Sequence, residues 1–355
     1  MERILKKLLL YILLLGYNCI AFADAKKEIE NCIKKDANSK QFQQANEKIC
    51  FLEETGNKLT EQGKFNEAMQ CYNKALVQAD KLYGKESTAS AMIYTCIGKL
   101  LLKKGHKLKA AESFVKASDI FKKSMGGIVT PKADRLLLIH AGFIYYNLKL
   151  FGKAWETLTK AERDISKLTP NERKKYTPRL YRYLAFSLYY EKKYKQAIGY
   201  LKITQKLELQ QKAVNCQELA VISLFLGEAL FKTKQFEKSL SSLLKSKKYF
   251  DRCKPSTFYQ FKLYLSLSLV NENLGKNKEN LLYAKKLNDI CEKFKSTDFK
   301  KIVGLICLAD AMYNNNQKEN AVKLMQQALM IAKTQNHPQK TILRIKKHLQ
   351  DIIEN

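Results

Sequence analysis

Residues 63–76 read GKFNEAMQCYNKAL, and this stretch decides the fold. Ala68, Tyr72 and Ala75 are spaced by four and then by three, which places them on one face of a helix. A small, a large and a small side chain on one face make a surface against which another helix packs. With Ala68 as a ruler, the same arrangement recurs at Ala110, Ala154, Ala197, Ser239, Asn280 and Ala321, in steps of 42, 44, 43, 42, 41 and 41 residues. A larger side chain follows four residues on, except at Ala284, and Ala75, Ala117, Ala161, Thr204, Ser246, Leu287 or Ala328 follows after three more.

A second small-residue site lies twelve residues before each ruler position, at Gly56, Gly98, Gly142, Ala185, Gly227, Ser268 and Ala309. Each sits in its own amphipathic run, so every repeat is a pair of helices, A then B. A near-constant period above forty residues, repeated seven times, is the signature of a solenoid. The five prolines (131, 170, 178, 255 and 338) all fall outside the helices expected from this register. Residues 339–355 form one more amphipathic segment, suited to cover the exposed end of the array.

The pattern resembles the tetratricopeptide repeat (TPR). Gly56, Gly63, Phe65, Ala68, Tyr72 and Ala75 fit its consensus, as do Gly98, Gly105, Ala110, Phe114 and Ala117. The repeats are longer than the usual 34 residues. With Leu82-Tyr83-Gly84 and Met125-Gly126 between repeats, they are similar to the kinesin light chain style. The resemblance implies an all-α, right-handed superhelical solenoid of about seven antiparallel helix pairs with a C-terminal capping helix. The expected organisation is a signal peptide over 1–23, an N-terminal capping segment over 24–48, the repeats over 49–333 and the cap over 334–355.

The N-terminus, MERILKKLLLYILLLGYNCIAFADAKK, has a basic start, an apolar run from Leu8 to Leu15 and a small-x-small Ala21-Phe22-Ala23. It reads as a cleaved secretory signal, with an uncleaved anchor as the alternative. An exported product, periplasmic or secreted, is the expectation. The absence of any N-x-S/T sequon leans towards a bacterial envelope. No later stretch is apolar enough for a membrane span. Of 64 basic residues only eight are arginine, and the net charge is +30. An AT-rich genome writes a solvated surface in the same way, so charge alone names no partner. Export argues against nucleic acid.

No catalytic constellation is visible around the four histidines (106, 140, 337 and 348), and no CxxC or other metal-ligand spacing occurs. The chain is therefore expected to be no enzyme and to hold no cofactor or metal. Eight cysteines follow the signal. Cys216 near the start of one A helix and Cys253 just past its B partner fall at neighbouring ends of an antiparallel pair, so a disulfide between them is geometrically open. Neighbour pairing would also give 71–96, 291–307 and 32–50. Buried, unbridged thiols are the alternative.

The resemblance further implies that A helices line a concave groove. The positions it turns into that groove are Ile139, Phe143, Tyr146 and Asn147 in the third repeat, and Arg179, Arg182, Phe186, Tyr189 and Tyr190 in the fourth. The fifth repeat contributes Leu224, Glu228, Phe231 and Lys232. Tyr and Arg are favoured interface anchors, and paired arginines suit a carboxylate. The carboxylate clamp of chaperone-binding TPRs is not reproduced: Asn57 fits one position, but Lys99 occupies the equivalent site in the next repeat. The function implied is a scaffold or adaptor in the cell envelope that binds a protein or peptide, with an acidic segment the natural ligand. A secreted effector acting on a host protein and a peptide-sensing regulatory module are the alternatives.

Overall fold

The computed structural model describes residues 40–124, 131–163, 165–167, 169–211, 215–253, 255–294 and 299–354. The expected signal peptide and Cys32 lie outside the described residues. Among those described, the chain is all-α, with fifteen helices and one short 3-10 turn (Ile165–Lys167). The A helices are α1 (Lys40–Glu61), α3 (Thr88–Lys103), α5 (Pro131–Asn147), α7 (Pro170–Tyr190), α9 (Cys216–Lys232), α11 (Thr257–Asn273) and α13 (Phe299–Tyr313). The B helices are α2 (Phe65–Tyr83), α4 (Lys107–Ser124), α6 (Phe151–Glu162), α8 (Tyr194–Leu209), α10 (Phe236–Phe250), α12 (Asn277–Cys291) and α14 (Lys318–Thr334). The last helix is α15 (Gln339–Glu354). The chain divides into two compact units, Met1–Glu191 and Lys192–Asn355.

Within each unit, helices pack in consecutive antiparallel pairs, and the ruler residues are where they meet. None of Ala68, Ala110, Ala154, Ala197, Ser239, Asn280 and Ala321 is more than 1% exposed. The large residues that follow them, Tyr72, Phe114, Leu158, Leu201, Leu243 and Met325, are buried too. Close approach needs the small partner on helix A. A Cβ on Gly142 would stand 2.4 Å from Cγ of Leu158, well inside van der Waals contact. Where serine replaces alanine, its hydroxyl is satisfied: Ser239 Oγ donates to the Gly227 carbonyl at 2.7 Å, and Ser268 Oγ to Asn280 Oδ1 at 2.6 Å.

Each A–B turn is built the same way. The residue five before each ruler position has positive φ: Gly63 (78°), Gly105 (86°), Lys149 (60°), Lys192 (60°), Lys234 (60°), Gly275 (67°) and Asn316 (60°). This left-handed residue ends helix A and lets the next amides bond back to the last turn, as in Leu150 N–H to the Tyr145 carbonyl at 2.9 Å.

Two elements differ from the sequence expectation. Helix α1 starts at Lys40, and its first turns are held by Phe42 edge-on to Tyr83 (5.8 Å) and by Tyr83 Oη donating to Asn46 Oδ1 (2.8 Å). Pro178 does not fall outside the helices; it lies inside α7. The helix begins two turns earlier than the repeat register implies, because Pro170 opens its first turn and Thr169 with Glu172 forms a capping box. A capped start of that kind offsets part of the roughly 3 kcal/mol that an interior proline costs. The ring of Pro178 is itself buried. At the other end, α15 docks through Ile342, Ile345 and Ile352 on a core that includes Ala321, Met325 and Ala328.

Candidate functional site

In the first unit, α5 and α7 bring together most of the residues expected to line a groove. Their rings form a continuous aromatic run. Phe143 stands edge-on to Tyr183 at 4.7 Å, and Tyr183 meets Tyr146 at 5.0 Å. Tyr146 meets Phe151 at 5.5 Å and Tyr190 at 6.3 Å, and Phe151 stacks on Tyr190 at 4.3 Å. Tyr189 lies edge-on to Tyr190 at 5.5 Å. These spacings are within the range in which aromatic pairs attract. Phe186 is buried beside Tyr146 and serves as the floor of the run rather than its surface. Tyr190 is 39% exposed, and Asn147 is exposed with its amide donating to the Phe143 carbonyl at 2.9 Å.

Two arginines sit on this run. The Arg179 guanidinium lies 4.3 Å from the centre of the Phe143 ring and 5.9 Å from that of Tyr183; the Arg182 guanidinium lies 5.7 Å from Tyr183. A guanidinium over a ring can still offer its N–H groups to another partner. Arg179 is exposed, and among the described residues its charge meets no carboxylate. His140, three residues before Phe143 on the same helix, feels both Arg179 and Lys99. Burial first, and then those two positive charges, push its pKa below the ordinary histidine value. The positive charges of Lys99 and Arg179, from the A helices on either side of α5, thus act together on His140, with aromatic surface beside them.

Tyr183, Phe151 and His140 belong to this site and were not among the expected groove positions. Tyr183 and His140 both occupy the sixth place of their repeat, one residue past a groove position, and Tyr183 reaches back to Phe143 and Tyr146 of the preceding A helix. Phe151 opens a B helix and enters through the tight turn at Lys149. The fifth-place residues Ile139 and Leu224 are correspondingly buried in the packing.

The expected residues of the fifth repeat lie in the second unit. Glu228 is engaged: Lys262 Nζ is 2.8 Å away, the two side chains are only 11% and 17% exposed, and Ser266 Oγ donates at 3.3 Å. Lys262 also lies 4.3 Å over the Phe225 ring. Glu228 is therefore a structural tie between α9 and α11. Phe231 packs on Phe236 at 5.5 Å across the A–B turn, and Lys232 is exposed beside it. A cavity of about 300 Å³ elsewhere in the first unit is lined by Glu86, Glu112, Lys116, Asp119, Lys123 and Tyr145. Its charges partly neutralise one another, as in the Lys123–Glu86 pair at 2.9 Å. No group of histidine, cysteine and carboxylate side chains fit to hold a metal ion occurs among the described residues.

The helix pairs, the small-residue seams and the left-handed A–B turns define a solenoid of the TPR type. Solved TPR structures are its structural neighbours. BtubC (BKLC) from P. vanneervenii matches with 13% identity and a TM-score of 0.50 over 66% of this chain and 93% of that one. The apo form of RapI matches with 13% identity and a TM-score of 0.53 over 81% and 77%. The C-terminal part of a TPR repeat-containing protein from Cytophaga hutchinsonii matches with 15% identity and a TM-score of 0.51 over 81% and 97%. At these identities the likeness is one of fold. No family model and no curated protein matches the chain.

Proposed function

We propose that this chain is an exported binding protein, a scaffold or adaptor of the cell envelope, and that the aromatic-cationic face of its first unit holds an acidic peptide segment of a partner. The observation that carries the reading is Arg179, laid on Phe143 with its charge turned to solvent. An exposed guanidinium beside an aromatic bed suits a carboxylate, which it can take up bidentately. The rings supply rigid apolar contact at low entropic cost. Lys99 extends the positive field along the stack, which speeds encounter with an acidic partner and weakens with salt. Binding, not turnover, is the activity: the site offers no nucleophile with an adjacent base. Export rests on the signal-like first 23 residues.

The test uses the full chain and a panel of fluorescent peptides with matched acidic, basic and neutral sequences, each with and without tyrosine. Acidic peptides should bind with a Kd that rises steeply with salt, and Arg179→Glu should weaken them at least tenfold while the helical melt stays at wild type. Tyr189→Ala should weaken only the tyrosine-containing ones. Equal binding of all peptides, or no effect of Arg179→Glu, would move the partner site elsewhere. Export is read separately, from the mass of the N-terminus of protein recovered from the envelope fraction. Cleavage after Ala23 supports it, and recovery of the intact Met1 terminus in the cytosol refutes it.

A further inference from the structure

Cys216 and Cys253 are at opposite ends of one helix hairpin and meet at its open end. Cys216 is the first residue of α9, and the side chain of Asn215 fixes that start by accepting from the Gln217 and Glu218 amides at 3.1 and 3.2 Å. The register of α9 against α10 is set by two buried hydroxyls. Ser239 Oγ donates to the Gly227 carbonyl and Ser246 Oγ to the Ala220 carbonyl, each at 2.7 Å. Seven residues forward on α10 therefore match seven back on α9, and one further turn reaches Cys216 on one side and the end of α10 on the other. The chain then folds back, with Cys253 Sγ donating to the Tyr249 carbonyl at 3.1 Å. This register and turn bring the two thiols to the same end of the hairpin as neighbours.

We propose that Cys216 and Cys253 are a redox-modification site, closed as a disulfide by exchange with a small-molecule disulfide of the glutathione type. The order of events follows from the surroundings. Burial, and then the neighbouring Cys216, push the Cys253 thiol up to about 11, so it stays protonated at neutral pH. The Cys216 thiolate attacks one sulfur of the small disulfide and expels one thiolate, which takes up the proton that Cys216 released. Cys253 then gives up its proton as its sulfur attacks Cys216, and the second thiolate leaves and is protonated. Two protein thiols become one disulfide, and one small disulfide becomes two thiols.

Three other cysteines are placed differently. Cys96 is buried and donates to Glu53 Oε1 at 3.4 Å, and Cys291 is fully buried in the seam, against Gly304. Burial pushes the Cys307 thiol up to about 12. The exchange should therefore pass over these three, and Cys50 and Cys71, half-buried like Cys216, lie inside α1 and α2 rather than at the open end of a hairpin. Its consequence is a clamp on the open end of α9–α10, from which the chain passes directly into α11. In a linear array each repeat is supported by its neighbours, so pinning one hairpin steadies those next to it.

The test equilibrates the native full-length protein in oxidised and reduced glutathione, quenches with acid, alkylates and maps peptides by mass spectrometry. The expected result is one cross-linked species joining the peptides of Cys216 and Cys253, lighter by two hydrogens. Cys253→Ser should instead trap glutathione on Cys216, which shows the exchange step without needing the bridge. The oxidised wild type should melt about 5 °C or more above the reduced form. Alkylation of both cysteines after full oxidation, a cross-link to another cysteine, or the absence of glutathione on Cys216 in the variant would overturn the proposal.

Discussion

Gly142 shows how much a single residue decides here. Its missing side chain is filled by Leu158, whose own burial is complete. Adding one methyl by Gly142→Ala should destabilise the first unit by about 1–3 kcal/mol, the usual cost of overpacking a tight seam. Denaturant melts check this, and pairing it with Leu158→Ala should recover part of the loss because the two sites share one space. That pair was legible in sequence: a small residue twelve before the ruler and a large one four after it. What the sequence left illegible at this scale is direction. Phe186 and Tyr183 sit three residues apart on α7, and only packing shows that the first is floor and the second is surface. A second residue-scale expectation concerns His348. Its Nε2 lies 2.9 Å from Asp310 Oδ1, and that hydrogen bond, ahead of the opposing effect of burial, raises its pKa. Glu272 nearby is also raised, by burial and then by Asp310. Both groups bind protons more tightly in the folded chain. Their contribution is present at low pH, below the unfolded value of each group, and is lost as pH rises through the folded values. The docking of α15 should therefore loosen as pH rises above the ordinary histidine value, read as faster amide exchange in α15 at matched intrinsic rates. His348→Gln should flatten most of that dependence.

Elements were legible as far as their chemistry is local. Helix pairs followed from the small-residue ruler, and the turn at Gly63 or Gly105 was marked by glycine. Lys149, Lys192 and Lys234 carry no such mark, yet each adopts φ of 60° at the same place in its repeat. At Lys149 and Lys234 the turn is imposed by the packing of the two helices it joins, and the lysines accept a strained backbone. Replacing each with glycine should relieve that strain and stabilise the fold by about 0.5–1 kcal/mol, after the greater freedom of glycine in the unfolded chain is counted. Gly63→Lys should cost a similar amount, and the two sets of melts together test whether the turn or the side chain matters. Pro178 is the opposite lesson. A proline is read from sequence as a boundary, but α7 runs through it because a capped start upstream and burial of the ring outweigh one lost hydrogen bond.

At the scale of the molecule, the sequence carried the repeat count and the class of fold, because a solenoid is a local rule applied seven times. The candidate site is less legible, since it depends on how side chains from successive A helices meet. Arg179 finds Phe143 and His140 finds Arg179 across sequence distances that no periodicity encodes. The +30 net charge acts at this scale as well. Like charges spread over an extended stack repel one another, and that repulsion is screened by salt over about 8–10 Å at physiological strength. The aromatic-cationic face, in contrast, uses its charge to attract. Salt should therefore act with opposite signs on folding and on binding. Raising sodium chloride from about 20 to 300 mM should lift the melting temperature of the free chain, because repulsion in the compact state is relieved. The same change should weaken an acidic peptide by roughly tenfold or more, since its long-range attraction is screened over the same distance. Circular dichroism melts and anisotropy titrations on one protein sample read both quantities. A parallel rise or fall in the two would mean that the surface charge is distributed without regard to the site, and that the partner is held by the rings alone.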